Sequence, residues 1–190
     1  MTDWSWLDVP VEQAARRLLG CELVRELDGE LLRVRIVETE AYDQSDPASH
    51  THRGPTARNR AMFLSAGHAY VYQIHTHHCL NVVTGIDGYG SGVLVRAVEP
   101  IDGVATMTAR RGRGGYELTN GPGKVCAALD ITLALREHSL DASPLWLEQR
   151  PPVPADQIAV GPRIGISRNA DAPRRFALRG NRWVSSPRPA

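Results

Sequence analysis

A single α+β domain is expected, with a mixed or antiparallel sheet and peripheral helices. Three features lead to it. The chain has 190 residues, 42% of them hydrophobic, enough for one compact core. Most apolar runs are short and alternating, and they do not take turns with helical segments as a parallel βαβ sheet requires. Between two of these runs sits Asp28-Gly29, a dipeptide that favours a tight hairpin.

The elements follow along the chain. Asp8-Val9-Pro10 opens a helix whose apolar positions Val11, Ala14, Ala15, Leu18 and Leu19 keep helical spacing, with Gly20 as its stop. Glu22–Leu27 and Leu31–Tyr42 are the hairpin strands. In the second strand Leu32, Val34 and Ile36 share one face. Continuing the alternation puts Glu38, Glu40 and Tyr42 on that same apolar face. Residues 43–58 are a polar loop with two prolines, and RNRAMF is a short helix or turn. AYVYQIH, CLNVVT and VLVRAVEP are strands, residues 102–111 are a candidate helix, and RRGRGG is a basic loop. GPGKVCAALDI starts another helix at Pro122, and LWLEQR, IAVGPRIGIS and RFALRG supply short strands or extended segments.

No apolar run reaches the length of a membrane helix, and MTDWSWLDVP does not read as a signal peptide, so a cytoplasmic protein is expected, nucleoid-associated if bacterial. Cys21, Cys79 and Cys126 are far apart without a CxxC pair, which fits reduced thiols. Net charge is only +1, but it is unevenly placed. Residues 1–47 hold eleven acids against five bases, whereas residues 163–190 hold seven arginines against Asp171 alone. Such a chain can present a basic face to phosphates, or simply a solvated, arginine-rich surface.

Several groups could carry chemistry. A carboxylate on a buried strand face is costly unless paired or open to a wet pocket. Glu38 or Glu40 therefore either pairs with an arginine such as Arg96 or serves as a general base at a strand end. His75 and His77 share a strand face and, with His50 or Cys79, offer a zinc set, although no HExxH or paired CxxC spacing is present. GPGK is not a P-loop, because position 118 is Leu and the residue after Lys124 is Val. Tyr42, Tyr70 and Tyr72 are core or sheet residues, or a platform for a flat heterocycle.

Taken together, RIVETEAY at 35–42, ASH at 48–50, RNRAMF at 58–63, YVY at 70–72, CLNVV at 79–83, VLVRAVEP at 93–100, GPGKVCAALDI at 121–131, RIGIS at 163–167 and RGNRWVS at 179–185 occur in order. Through them the chain resembles the alkyladenine (3-methyladenine) DNA glycosylase family over nearly its whole length. The resemblance implies a curved sheet with a β-hairpin for DNA insertion, and a monofunctional, metal- and cofactor-free hydrolase. Its partner would be duplex DNA containing damaged purines, met by a monomer without an obligate protein partner or membrane. The damaged nucleotide is flipped out and its N-glycosidic bond hydrolysed, leaving an abasic site.

By the same resemblance Glu40 is the general base, Arg96 and the backbone carbonyl of Ile164 hold the attacking water, and Glu38 is structural. Tyr42 and Tyr72 sandwich the base, His50 is the third wall, and Asn81 rejects the amino group of normal purines. The chain departs from the family at the hairpin, which is one residue shorter and carries His75-Thr76 in place of a tyrosine-glycine pair. His75 is then the candidate wedge. Arg53, Arg58, Arg60, Arg110, Arg111, Arg113 and Lys124 are candidates for gripping phosphates. Two other readings remain: a lesion binder of the same fold without turnover, and a zinc-dependent hydrolase.

Overall fold

The structure, a computed structural model, describes residues 2–189. Helix α1 spans Val11–Leu18, and strands β1 (Glu22–Leu27) and β2 (Glu30–Asp43) form the first hairpin. Its turn has Asp28 at φ 52° and Gly29 at φ 82°, the pair of positive angles that an Asp-Gly turn of type I′ needs. Strands β3 (Ala69–Ile74) and β4 (His77–Val83) form a second hairpin, followed by β5 (Ser91–Asp102). Helices α2 (Val104–Arg111) and α3 (Pro122–Ala128) come next. Four short strands complete the chain: β6 (Asp141–Ala142), β7 (Leu145–Glu148), β8 (Ile158–Gly161) and β9 (Arg175–Leu178).

The nine strands make one sheet in the order β3-β4-β5-β2-β1-β7-β6, with β9 joining both β2 and β8. Every pairing is antiparallel, so the mixed alternative does not apply. The sheet is curled into a half-barrel. Helix α1 lays Val11, Ala14, Ala15 and Leu18 against Leu23, Val34, Ile36, Val95 and Val98 in one continuous core. Each fully buried Val, Leu or Ile side chain among them contributes about 1.5–3 kcal/mol. Among the described residues no helix is long and apolar enough to cross a membrane, and the three cysteines are free and buried. IAVGPRIGIS is strand only to Gly161, because Pro162 cannot donate to a ladder.

The face assigned to the glutamates is corrected by the structure. Opposite β5, Ile36 pairs with Val98 and Glu38 with Ala97, so Val37 is an extra residue in β2. Thr39 then pairs with Val95, which makes Arg96 an extra residue in β5. These adjoining bulges reset the alternation. Beyond them Thr39 and Ala41 face the main core: the Thr39 hydroxyl donates to the Ala15 carbonyl at 3.0 Å, and Ala41 packs within that core. Glu38, Glu40 and Tyr42 turn to the opposite face. The outer edge of β2 also changes partner here, from β1 at residues 30–35 to β9 at Glu38–Glu40.

Candidate active site

Glu40 is fully buried, accepts two hydrogen bonds and pairs with one arginine. The Tyr42 hydroxyl donates to its Oε2 at 2.8 Å, the Ile164 backbone N–H donates to Oε1 at 2.9 Å, and Arg96 Nη1 lies 3.3 Å from Oε1. Such an arrangement complements a carboxylate anion. Ile164 touches Glu40 through its amide, whereas the sequence reading gave its carbonyl a role toward water. Glu38 forms a separate knot: Arg175 Nε donates to it at 2.6 Å, and the Ser185 N–H and hydroxyl donate at 2.8 and 2.9 Å. Its principal arginine is therefore Arg175, with Arg96 Nε farther off at 3.7 Å.

Beside Glu40 opens a cavity of about 160 Å³. That equals roughly five waters at about 30 Å³ each, or one flat heterocycle. It is lined by Tyr42, His50, Tyr72 and Asn81, with Tyr70, Met62, Ile74, Ile166 and two small backbone positions, Ala48 and Gly165. The four residues expected to receive a base are thus brought together. Wider clefts of about 650 and 680 Å³ lie around Arg179 and Tyr116, but they are open surface grooves. The smaller cavity is linked to the buried carboxylate by Tyr42, which lines it and donates to Glu40.

The aromatic walls are built by β3 and the preceding loop. Tyr72 stacks on Tyr70, with ring centroids 5.6 Å apart, and His50 meets the Tyr72 ring edge-on at 4.6 Å. His50 Nδ1 pairs with the Tyr70 hydroxyl at 2.9 Å, and Asn59 Nδ2 fixes the His50 carbonyl at 2.7 Å. Burial, helped by the Arg58 charge, holds His50 below the ordinary histidine value, so its ring is neutral near pH 7. Burial and then the Glu40 charge push the Tyr42 phenol up, while burial and then Cys79 do the same for Tyr72. Both remain neutral phenols. Asn81 donates to the Tyr70 carbonyl at 3.2 Å.

Tyr42 is backed by Arg163, whose guanidinium carbon lies 4.5 Å over the ring centroid. Arg163 and Asp46 form an ion pair in which neither side chain is exposed. Asp46 also accepts from Asn169 Nδ2 at 3.0 Å and from the Ala48 N–H at 3.1 Å. Burial opposes its charge, yet Arg163 and Asn169 hold its carboxyl below the usual range. The pair staples the loop carrying Ala48 and His50 to the segment carrying Ile164, Gly165 and Ile166. Arg163, Asp46, Arg175 and Ser185 had no site role in the sequence reading. The RIGIS and RGNRWVS motifs contain Arg163 and Ser185, but an ion pair 117 residues apart leaves no local pattern.

At the tip of the β3–β4 hairpin, His75 has φ 51°, a left-handed conformation uncommon outside glycine, and His75 and Thr76 are exposed. Ile74 beside them is 49% exposed and lines the cavity mouth. The zinc set does not converge: among the described residues no group of three or more His, Cys, Asp or Glu is placed to hold a metal.

The phosphate candidates divide in two. Arg60 makes two hydrogen bonds to Glu137 (2.6 and 3.0 Å), Lys124 bonds Glu117 and Asn120 (2.6 and 2.8 Å), and Arg110 pairs with Asp130. Arg111 donates to the Glu117 and Leu118 carbonyls. Arg58 gives one bond to the Gln73 carbonyl in the β3–β4 hairpin (3.1 Å). Among the described residues Arg53 and Arg113 have no hydrogen-bond or ion-pair partner.

Comparison with known proteins finds relatives along nearly the whole chain. The profile of the family described as Methylpurine-DNA glycosylase (MPG) matches residues 5–182. A protein of Carboxydothermus hydrogenoformans, provisionally named 3-methyladenine DNA glycosylase, is 47% identical over 174 residues, covering 90% of this chain and 91% of its own. Proteins with the same provisional name from Methanoculleus marisnigri (48% identical; 90% and 91% covered) and Nitrosospira multiformis (47%; 91% and 88%) are similarly close. With the profile spanning nearly the whole sequence, and relatives this similar along it, the chain belongs to the methylpurine-DNA glycosylase family.

Proposed function

We propose that the protein excises alkylated or deaminated purines of the 3-methyladenine, 7-methylguanine, hypoxanthine and etheno-adenine class from duplex DNA. It hydrolyses the N-glycosidic bond with a water activated by Glu40. The observation that carries this reading is a fully buried carboxylate, held by two hydrogen bonds and an arginine, next to an aromatic cavity sized for one base.

The damaged nucleotide leaves the stack and its base enters between Tyr42 and Tyr72, with His50 as the third wall. Alkylation makes the base electron-poor, often cationic, which suits neutral aromatic faces. A neutral His50 adds no opposing charge. Asn81 fills the place where the exocyclic amino group of a normal purine would go, so undamaged bases fit poorly. Water held by Arg96 and the Ile164 carbonyl attacks C1′ and passes a proton to Glu40. The C1′–N bond breaks, its electron pair leaves with the base, and an abasic sugar remains. A methylated base departs without further protonation, so the lesion's lability does part of the work. On the DNA side, His75 and Thr76, exposed at the hairpin tip, are the residues that would enter the minor groove. Monofunctional chemistry is supported by the chain's single lysine, Lys124, which is engaged with Glu117 on the surface instead of standing at the cavity as an amine nucleophile.

The test is single-turnover base release from duplexes carrying one defined lesion each, with EDTA present and Glu40→Gln in parallel. Release by the wild type alone, followed by alkali-labile cleavage at the lesion, is expected. Equal release by the variant would remove Glu40 from the mechanism, and lesion binding without release by the wild type would favour the binder reading.

A further inference from the structure

We propose that Ser185 is a positioning residue that keeps Arg96 aimed at Glu40 by standing between Arg96 and the second carboxylate, Glu38. The proposal rests on the reading of Glu40 as the base. Arg96 lies between two fully buried carboxylates. Its Nη1 is 3.3 Å from Glu40 Oε1, whereas its Nε is 3.7 Å from Glu38 Oε1, too far for a hydrogen bond. Ser185 Oγ bridges that gap. It accepts from Arg96 Nε at 3.2 Å and donates to Glu38 Oε1 at 2.9 Å.

A hydroxyl has one proton and two lone pairs. Because Glu38 as a carboxylate only accepts, the Ser185 proton goes to it and the lone pairs face Arg96. The hydroxyl thereby satisfies both charged groups while holding them apart. It is itself fixed from outside the cavity. The Ser185 N–H donates to Glu38 Oε2 at 2.8 Å, and Arg175 Nη2 donates to the carbonyls of Ser185 (3.1 Å) and Pro187 (2.7 Å). Arg175 Nε holds Glu38 at 2.6 Å, and Ser185 is only 4% exposed. The segment around residue 185 is therefore a rigid clamp applied to a guanidinium that would otherwise have two anions to choose from.

Without the hydroxyl, Arg96 Nε loses its acceptor, and the nearest replacement is Glu38. A charge-assisted hydrogen bond closes to about 2.7–2.9 Å. Reaching that from 3.7 Å requires a shift of roughly 1 Å, which draws Nη1 away from Glu40 and the attacking water. Misplacement on that scale costs up to about a hundredfold in rate.

The experiment measures single-turnover release and lesion-duplex affinity for the wild type, Ser185→Ala, Ser185→Thr, Glu38→Gln, Ser185→Ala/Glu38→Gln and Glu40→Gln, with folding checked by thermal unfolding. Ser185→Ala is expected to slow saturated release by roughly ten- to a hundredfold with affinity unchanged. Ser185→Thr, which keeps the hydroxyl, restores most of the rate. The double variant is faster than Ser185→Ala, because the competing charge is gone. If Ser185→Ala does not fold, Ser185→Cys keeps the size, weakens the acceptor and should show the same loss. A wild-type rate in Ser185→Ala, a threonine variant as slow as alanine, or a double variant slower than either single change overturns the proposal. Full activity in Glu40→Gln would overturn the general-base reading and this proposal with it. An inactive Glu40→Gln beside a fully active Ser185→Ala overturns only the role of Ser185.

Discussion

Replacing Arg163 with methionine removes the charge behind Tyr42 and leaves Asp46 buried without its main partner. Breaking a buried pair from one side costs about 3–5 kcal/mol. Asp46 would keep Asn169, the Ala48 N–H and Arg174 at 3.6 Å, so the loss for Arg163→Met falls near the lower end, about 3 kcal/mol. Asp46→Asn leaves the guanidinium with little beyond the Ala41 carbonyl at 2.9 Å and the Asn169 carbonyl at 3.4 Å, and belongs nearer the upper end. At about 2–4 °C per kcal/mol for a domain of this size, Arg163→Met should lower Tm by roughly 6–12 °C. The double variant should lose much less than the sum, because neither charge is then left buried without its partner. It also removes Arg163 Nε, a buried donor without a hydrogen-bond partner. Urea and thermal unfolding of the four proteins measure this cycle. An Arg163→Met loss below about 1 kcal/mol, or a double variant as unstable as the sum, would refute the reasoning. The pH dependence has a definite sign. The folded-state pKa of Asp46 lies below 3.8, so its contribution is intact above that value and is lost as pH falls further, through the folded pKa.

The other predictions concern DNA and the cavity wall. Arg53→Ala, Arg58→Ala and Arg113→Ala should each lower the slope of log affinity against log salt by about 0.9, the increment for one phosphate left unneutralised. Arg60→Ala and Lys124→Ala, whose charges are already paired, should change it less, and the opposite ranking would count against this division. His50 is neutral in the fold and its pKa is depressed below 6.5, so the stability this provides is full above pH 6.5 and declines as pH falls through the folded value. His50→Gln should lack that decline in unfolding measured between about pH 7.5 and 5, and equal losses in both proteins would refute it.

Local patterns carried much of the architecture. The Asp28-Gly29 turn, the spacing of α1 and the start of α3 at Pro122 depend on neighbours a few residues apart, and they stand where expected. The cavity residues Tyr42, His50, Tyr72 and Asn81 were found through motifs, and the structure gathers them around one space. The face of Glu40 could not be read by counting. Val37 and Arg96 are ordinary strand residues, and nothing in either strand announces that it is a bulge; only the pairing of β2 with β5 does. The partners of Glu38 were hidden for another reason. Arg175 and Ser185 lie 137 and 147 residues away, among seven arginines whose sequence context does not distinguish them.

The pairing of β2 with β9 also bears on how the protein is made. While the chain emerges from the ribosome, the Glu38–Glu40 edge of β2 waits for a strand made much later; Glu38 and Arg175 are 137 residues apart. Such distant pairings are slow to form, and domains complete themselves only when their last strand is available. A nascent chain therefore carries Tyr42, His50, Tyr72 and Asn81 before it carries the cavity residues Gly165 and Ile166, the Ile164 amide on Glu40 or the Ser185 contact with Arg96. Truncation before residue 185 should leave a product that has the residues of the cavity but lacks Ser185, the contact that positions Arg96. In this protein the groups that hold Glu40 and Arg96 in place are thus made well after the strand that carries Glu40.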